Sequence, residues 1–207
     1  MEGKNVKKLL FVLMALCMAI PATAGAALID FKTNPIAVAV NDPISNEYSG
    51  YGVVFLPGTG ADVPTVKNGT DFGFASGVNV LTTAYGSGKG DFTIKFTNGA
   101  TGVSFDSGYW NSVPDLPSLP YQVTVTDILN SKYYYNNTAE GILSFSFPGL
   151  TIKEIYFNAD INFSVGGAAI TNLSFTPVAP IPEPGTMILL GSGLVGLARV
   201  GRKRWKK

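Results

Sequence analysis

The stretch Asp91-Phe92-Thr93-Ile94-Lys95-Phe96-Thr97 alternates apolar and polar residues without interruption. Successive side chains of a strand point to opposite faces, so Phe92, Ile94 and Phe96 share one face while Thr93, Lys95 and Thr97 share the other. This is the pattern of a half-buried β-strand. Similar chemistry recurs on both sides of it. Gln122-Val123-Thr124-Val125-Thr126 and Ala169-Ile170-Thr171-Asn172-Leu173-Ser174-Phe175 are rich in β-branched and aromatic residues. Shorter runs lie at 28–31, 52–56, 78–82, 102–105, 132–135, 142–147 and 151–157, separated by turn signals such as Asn98-Gly99, Asn130-Ser131 and Pro148-Gly149. No stretch before the C-terminal tail sustains a helical period over three turns. About ten short strands at this spacing predict an all-β domain of two antiparallel sheets packed as a jelly-roll-like sandwich. The absence of an internal repeat argues against a propeller or a solenoid.

The two ends of the chain differ in kind from this domain. At the N-terminus Lys4, Lys7 and Lys8 precede the apolar run Leu9 to Ile20, and Pro21 leads into Ala22-Thr23-Ala24-Gly25-Ala26-Ala27. A charged segment, an apolar segment and small residues of the A-x-A kind form the pattern of a cleaved secretory signal, here residues 1–26, with cleavage after Ala24 or Ala26. The single cysteine, Cys17, leaves with it. Leu16 is too large for the small position that precedes a lipidated cysteine.

At the C-terminus Ile181 is followed by Pro182-Glu183-Pro184, Gly185-Thr186, an apolar run from Met187 to Ala198, then Arg199 and the basic cluster Arg202-Lys203-Arg204-Trp205-Lys206-Lys207. A hydrophobic run closed by cations stops a chain during export, because the cations stay on the cytoplasmic side. As a helix the run from Met187 to Ala198 spans only about 18 Å, against a hydrocarbon core of about 30 Å. It crosses as a single membrane-spanning helix only if Arg199 and its neighbours snorkel or the bilayer thins. Gly191, Gly193, Gly196 and Ser192 weaken it further as a helix, which suits a transient anchor better than a permanent one. An ordinary single-span tail anchor is the alternative.

The order of Pro182-Glu183-Pro184, short glycine-containing apolar segment and Arg/Lys-rich end over residues 181–207 resembles the PEP-CTERM sorting signal of Gram-negative bacteria. The resemblance implies recognition by exosortase, a membrane protease of cysteine-dependent, transpeptidase-like type, and processing near the Pro-Glu-Pro motif. It also implies delivery by the secretion translocon to the cell surface or extracellular matrix of a cell that makes extracellular polysaccharide. The body of the chain is similar, more loosely, to PEP-CTERM ectodomains, with Gly102-Val103-Ser104-Phe105-Asp106 mid-domain and Ile170-Thr171-Asn172-Leu173-Ser174-Phe175 as last strand. Thr171 stands where that pattern usually has Asp.

Between the ends, residues 27–180 are expected to form one ectodomain. The formal net charge of +1 conceals an asymmetry, since residues 27–186 hold six lysines against thirteen acids, a net of −7. An acidic domain is repelled by nucleic acid, whose binding depends on neutralising phosphates, so no nucleic-acid partner is expected. The exported part has neither His nor Cys. That excludes Ser-His-Asp and Cys-His mechanisms, His- or Cys-ligated zinc and disulfides. No cofactor is expected. The remaining catalytic chemistry is a pair of carboxylates in a glycosidase-like cleft, although scattered Asp and Glu are usually surface residues.

Three groups of residues carry the binding readings. Tyr109, Trp110 and Asn111 lie in the loop Asp106 to Asp115 and combine flat aromatic faces with amide and carboxylate groups, the chemistry of a carbohydrate contact. The plainer reading is that Trp110 caps the end of the core. In Tyr133-Tyr134-Tyr135, the outer two side chains share one face and Tyr134 takes the other, so one face is core and the other a covered surface or a second platform. Asp30, Asn34, Asp42 and Asp106 are candidate oxygen ligands for a structural calcium ion, without a compact Asp-x-Asp-x-Asp loop, so the metal ligands stay unknown. Leu56-Pro57-Gly58-Thr59-Gly60 matches a sortase pattern but lies far from any anchor and reads as a turn. The sequons at Asn68, Asn136, Asn162 and Asn172 arise by chance in a chain of this composition.

The sequence therefore points to an exported, exosortase-processed surface or matrix protein, non-catalytic, in contact with extracellular polysaccharide. A glycan-active hydrolase and a structural surface protein without a specific ligand are the alternatives.

Overall fold

The computed structural model describes residues 25–33, 35–58, 61, 63–83, 91–109, 121–137, 141–158 and 168–179. Residues 1–24 of the expected signal peptide 1–26, and the whole of the expected sorting signal 181–207, lie outside the described residues. Among those described, the regular structure is β-strand with two short 3-10 turns, Ser49–Tyr51 and Gly69–Phe72. The strands are β1 (Ala27–Ile29), β2 (Val53–Pro57), β3 (Pro64–Asn68), β4 (Asn79–Thr83), β5 (Phe92–Tyr109), β6 (Tyr121–Asp127), β7 (Lys132–Asn137), β8 (Leu143–Phe147), β9 (Ile152–Asn158) and β10 (Ala168–Pro177).

The alternation that predicts a strand at Asp91 to Thr97 is observed: Phe92, Ile94 and Phe96 are buried, and Lys95 and Thr97 are exposed. The expected break at Asn98-Gly99 is absent. One strand, β5, runs from Phe92 to Tyr109 through that point. Gly99 at φ +86° and Gly102 at φ +60° occupy the left-handed region that glycine enters without a Cβ clash, so the strand bulges there instead of reversing. Lys95 faces Glu154 of β9 and Ala100 faces Ile152, so five steps along β5 match two along β9. The other two turn signals act as predicted. Asn130, at φ +64°, closes the β6–β7 hairpin, and Gly149, at φ +78°, lies between β8 and β9. The sequence reading leaves β3 out. Its alternation is short, with Pro64 and Val66 buried and Thr65 and Lys67 partly exposed, and the strand starts on Pro64, a residue tolerated at the first position of an edge strand.

All pairing is antiparallel, and the strands form a single ten-stranded hydrogen-bonded sheet in the order β3-β4-β10-β5-β9-β6-β7, with β1 joined to β10 and both β2 and β8 joined to β5. Two sheets are expected from the sequence, whereas the hydrogen bonding is continuous because β5 serves two sets of partners. Its first half lies between β2 and β9, and its second half lies between β10 and β8.

One main core joins these sets. Phe92 and Phe157 stack with ring centroids 4.5 Å apart and planes 9° from parallel, and Phe105 meets Phe157 edge-on at 5.4 Å. Phe31, Tyr48 and Phe55 form a second group of edge-on contacts at 5.5 to 6.1 Å. Such pairs add about 0.5–1.5 kcal/mol each beyond the burial of their area. A small satellite core of Phe72, Phe74, Val80 and Ala169 seats the second 3-10 turn against β4 and β10.

Candidate functional site

Register, which the sequence leaves open, assembles an aromatic row on the outer face of β5, β9, β6 and β7. Thr93 faces Tyr156, Tyr156 faces Thr124, and Thr124 faces Tyr134. Directly opposed residues share a face, and the neighbours of Tyr156 along its strand, Ile155 and Phe157, are fully buried, so Tyr156 points outward. Tyr134 is 61% exposed. Thr124 lies on the same outer face yet is only 8% exposed, because the two tyrosines stand on either side of it. With β6 alone between their strands, the backbone positions that carry the two tyrosines are about 9–10 Å apart.

Polar rows border the tyrosines. Two residues along, Asn158 faces Gln122 and Gln122 faces Asn136, and the Gln122 amide Nε2 donates to Asn136 Oδ1 at 3.0 Å. On the other side Lys95 faces Glu154, Glu154 faces Thr126 and Thr126 faces Lys132. The Tyr156 hydroxyl donates to Asp91 Oδ2 at 2.8 Å, and burial together with this bond pushes its pKa up to about 12. It therefore stays a neutral hydrogen-bonding group at any physiological pH. Flat rings lined by amides and a few charges are suited to stacking on an apolar C–H face while hydrogen-bonding hydroxyl groups around it.

Tyr133 and Tyr135 take the opposite face, as the triplet predicts. Both pack against the core, and Tyr135 meets Phe147 at 5.2 Å. The Tyr133 hydroxyl donates to Asp127 Oδ2 at 3.3 Å.

The loop candidate stands differently. Tyr109 is the last residue of β5 and pairs with Ala168, while Trp110 and Asn111 lie outside the described residues. So do Pro182, Glu183, Pro184, Met187, Ala198, Arg199, Arg202, Lys203 and Arg204 of the tail. The calcium candidates are not brought together as a cluster of acidic ligands: no group of three or more His, Cys, Asp or Glu suited to a metal occurs among the described residues. Asp30 closes its own turn, accepting from the Lys32 and Thr33 backbone N–H groups. Asp42 accepts from the Ala39 N–H. Asp106 accepts from Ser144 Oγ at 2.6 Å and from Asn172 Nδ2 at 2.8 Å, holding β8 and β10 to β5 on the exposed face. Asn34 lies outside the described residues.

Tyr156, Gln122 and Asn158 are the members of the row that sequence reading leaves out. Alternation alone would turn Tyr156 outward between Ile155 and Phe157. Nothing in a linear sequence sets it opposite Thr124 and Tyr134.

Residues 180–204 match the PEP-CTERM protein-sorting motif. The tail is thus an exosortase sorting signal, which implies export and a surface or extracellular destination. Comparison with curated proteins finds no match. Solved structures similar to the chain include the K2 cleaved adhesin domain of Lys-gingipain, with 12% identity over 74% of this chain and 99% of that one, at a TM-score of 0.45. A family 29 carbohydrate binding module is similar with 13% identity over 78% and 98% of the two chains, at a TM-score of 0.37. A mutant of such a module complexed with mannohexaose is similar with 12% identity over 74% and 92%, also at 0.37. At these scores the likeness decides neither fold nor ligand.

Proposed function

We propose that the chain is an exported, exosortase-processed protein of the cell surface or extracellular matrix whose outer sheet face contacts extracellular polysaccharide without catalysis. The sorting motif supports the delivery. The observation that carries the contact is the row of Tyr156 and Tyr134 across Thr124, bordered by Asn158, Gln122 and Asn136. The carboxylates with defined bonding support a non-catalytic role, since Asp30, Asp42 and Asp127 brace turns, Asp106 ties three strands, and Asp91 holds Tyr156. The continuous sheet is read as folded on itself into two layers at the β5 bulge, in the jelly-roll-like manner expected. Contacts between segments that are not paired in the sheet support this: Tyr135 of β7 meets Phe147 of β8, and Phe105, in the half of β5 that β9 does not pair with, meets Phe157 of β9.

The test is binding of the exported protein to the producing cell's own polysaccharide, with and without calcium, in the wild type, Tyr134→Ala and Trp110→Ala. Saturable binding lost in Tyr134→Ala places the contact on the sheet face. Loss in Trp110→Ala alone moves it to the loop after β5. No binding by the wild type leaves a structural surface role as the function.

A further inference from the structure

Both ends of the ectodomain leave it at one place. Ala27 opens β1 opposite Phe175 of β10, and beyond β10 the Val178 N–H donates to the Gly99 carbonyl at 3.0 Å, so the chain is held as far as Val178. Gly99 also abuts the β6–β7 turn: a Cβ built there would lie 3.0 Å from Ile128 Cγ2, and the Ile128 N–H donates to the Thr151 carbonyl at 3.0 Å. The turn Ile128-Leu129-Asn130 therefore stands beside the exit of the tail. It holds large apolar side chains in solvent, with Leu129 80% and Ile128 52% exposed. Tyr51, 39% exposed, is at the same end and lines a groove of about 710 Å³ together with Pro177, Val178 and Ala179. Two cations border the turn, the exposed Lys132 and the half-buried Lys153, whose Nζ donates to Asn130 Oδ1 at 2.9 Å. The acid of the turn, Asp127, is buried and accepts from the Leu129 and Ser131 N–H groups.

An apolar tip flanked by lysines matches a bilayer interface, which takes apolar side chains at the acyl boundary and ammonium groups among anionic headgroups. The tether identifies the bilayer as the occupant. From Val178 to Met187 the chain reaches at most about 32 Å when fully extended, so while the tail is in the membrane this end is the part of the domain kept beside it. We propose that the Ile128-Leu129 tip, with Lys132 and Lys153, docks the domain on an anionic bilayer surface next to the point where the sorting tail enters. The proposal rests on reading Met187 to Ala198 as the membrane segment. Docking would hold Pro182-Glu183-Pro184 at the bilayer surface, where a membrane-embedded protease can reach it.

The test uses the full chain carrying Cys17→Ser, reconstituted in phosphatidylethanolamine–phosphatidylglycerol vesicles containing spin-labelled lipid. Single cysteines, Leu129→Cys, Asn136→Cys at the far end of the same hairpin and Gly193→Cys in the tail, each carry a bimane label. Strong quenching at 193 and 129, several-fold above that at 136, is expected. Quenching at 193 with 129 no stronger than 136 overturns the docking while the tail reading stands. No quenching at 193 removes the tail reading and the docking with it. Phosphatidylcholine vesicles should quench 129 several-fold less, and equal quenching would remove the lysines from the proposal.

Discussion

Tyr121, the first residue of β6, donates its hydroxyl proton to Ser107 Oγ of β5 at 2.6 Å, in a buried position between strands that are not neighbours in the sheet. Ser107 Oγ is itself within 3.2 Å of the Ala169 carbonyl and donates to it. The chain Tyr121–Ser107–Ala169 links three strands, β6, β5 and β10, and satisfies the buried hydroxyls of Tyr121 and Ser107. Tyr121→Phe should lower the stability by about 1–2 kcal/mol, because Ser107 loses its donor in a place water does not reach. Urea unfolding of the variant beside the wild type measures this, and an unchanged midpoint would show that the bond contributes nothing net.

Tyr48 behaves in the opposite way. Its ring is fully buried against Phe31 and Phe55, but its hydroxyl has no hydrogen-bond partner among the described residues. Removing an unpaired polar atom relieves its desolvation, so Tyr48→Phe should be neutral or stabilise by up to about 1 kcal/mol. A fall in melting temperature would point to a water or partner on that hydroxyl.

Alkaline stability follows from the same group. Burial first, then the nearby Asp30 and Glu47, push the Tyr48 pKa up to about 12 from 10.0. The folded state holds this proton more tightly than the unfolded chain, so the associated stability is complete below pH 10 and is lost as pH rises towards 12. Tyr156 adds a smaller loss in the same window, because its ring stands on the outer face, where solvent screens its interaction with Asp91. Unfolding curves from pH 8 to 12 should slope downward above 10, and Tyr48→Phe should flatten the slope.

Packing at Gly108 fixes the second 3-10 turn against β5. A methyl at this position would lie 2.4 Å from the Phe72 carbonyl oxygen and 2.7 Å from Phe74 Cε2. Gly108→Ala should therefore destabilise by about 1–3 kcal/mol through overpacking. Gly50→Ala, whose methyl meets nothing within 4 Å among the described residues, is the control and should change little. Equal melting temperatures for the two variants would mean that the turn moves away freely.

On the outer face, Tyr134→Ala should leave the stability within about 0.5 kcal/mol of wild type, as expected for a surface substitution, while abolishing saturable polysaccharide binding. A variant that binds as before would take the aromatic row out of the function.

The sorting motif gives a prediction in the cell. Replacing Pro182-Glu183-Pro184 with three alanines should prevent processing, so that the chain stays at its unprocessed size and is not released. Release of a normal-sized product would detach the motif from delivery.

Alternation made most strands legible: Phe92, Ile94 and Phe96 fall inside, and Tyr134 points away from Tyr133 and Tyr135, as the period of two requires. It failed at Asn98-Gly99, where a strong hairpin signal is used as a bulge within β5. It also missed β3, whose alternation covers only Pro64 to Lys67 and opens on a proline, so that its pairing with β4 is what marks it as a strand. Both failures have one cause, since a local pattern reports which way side chains point and not which strand lies alongside.

The sequence alone determined the all-β class, the acidic stretch 27–186 without His or Cys, and the sorting tail, because composition, period and motif order are local properties of the chain. Only the tertiary structure decided that β5 serves both halves of one continuous sheet. It also decided that Tyr156 and Tyr134 flank Thr124 on one face, and that the Leu129 tip stands beside Gly99, which holds Val178 ahead of the tail. These are matters of register between segments remote in sequence, set by which arrangement buries the most apolar surface with every strand paired.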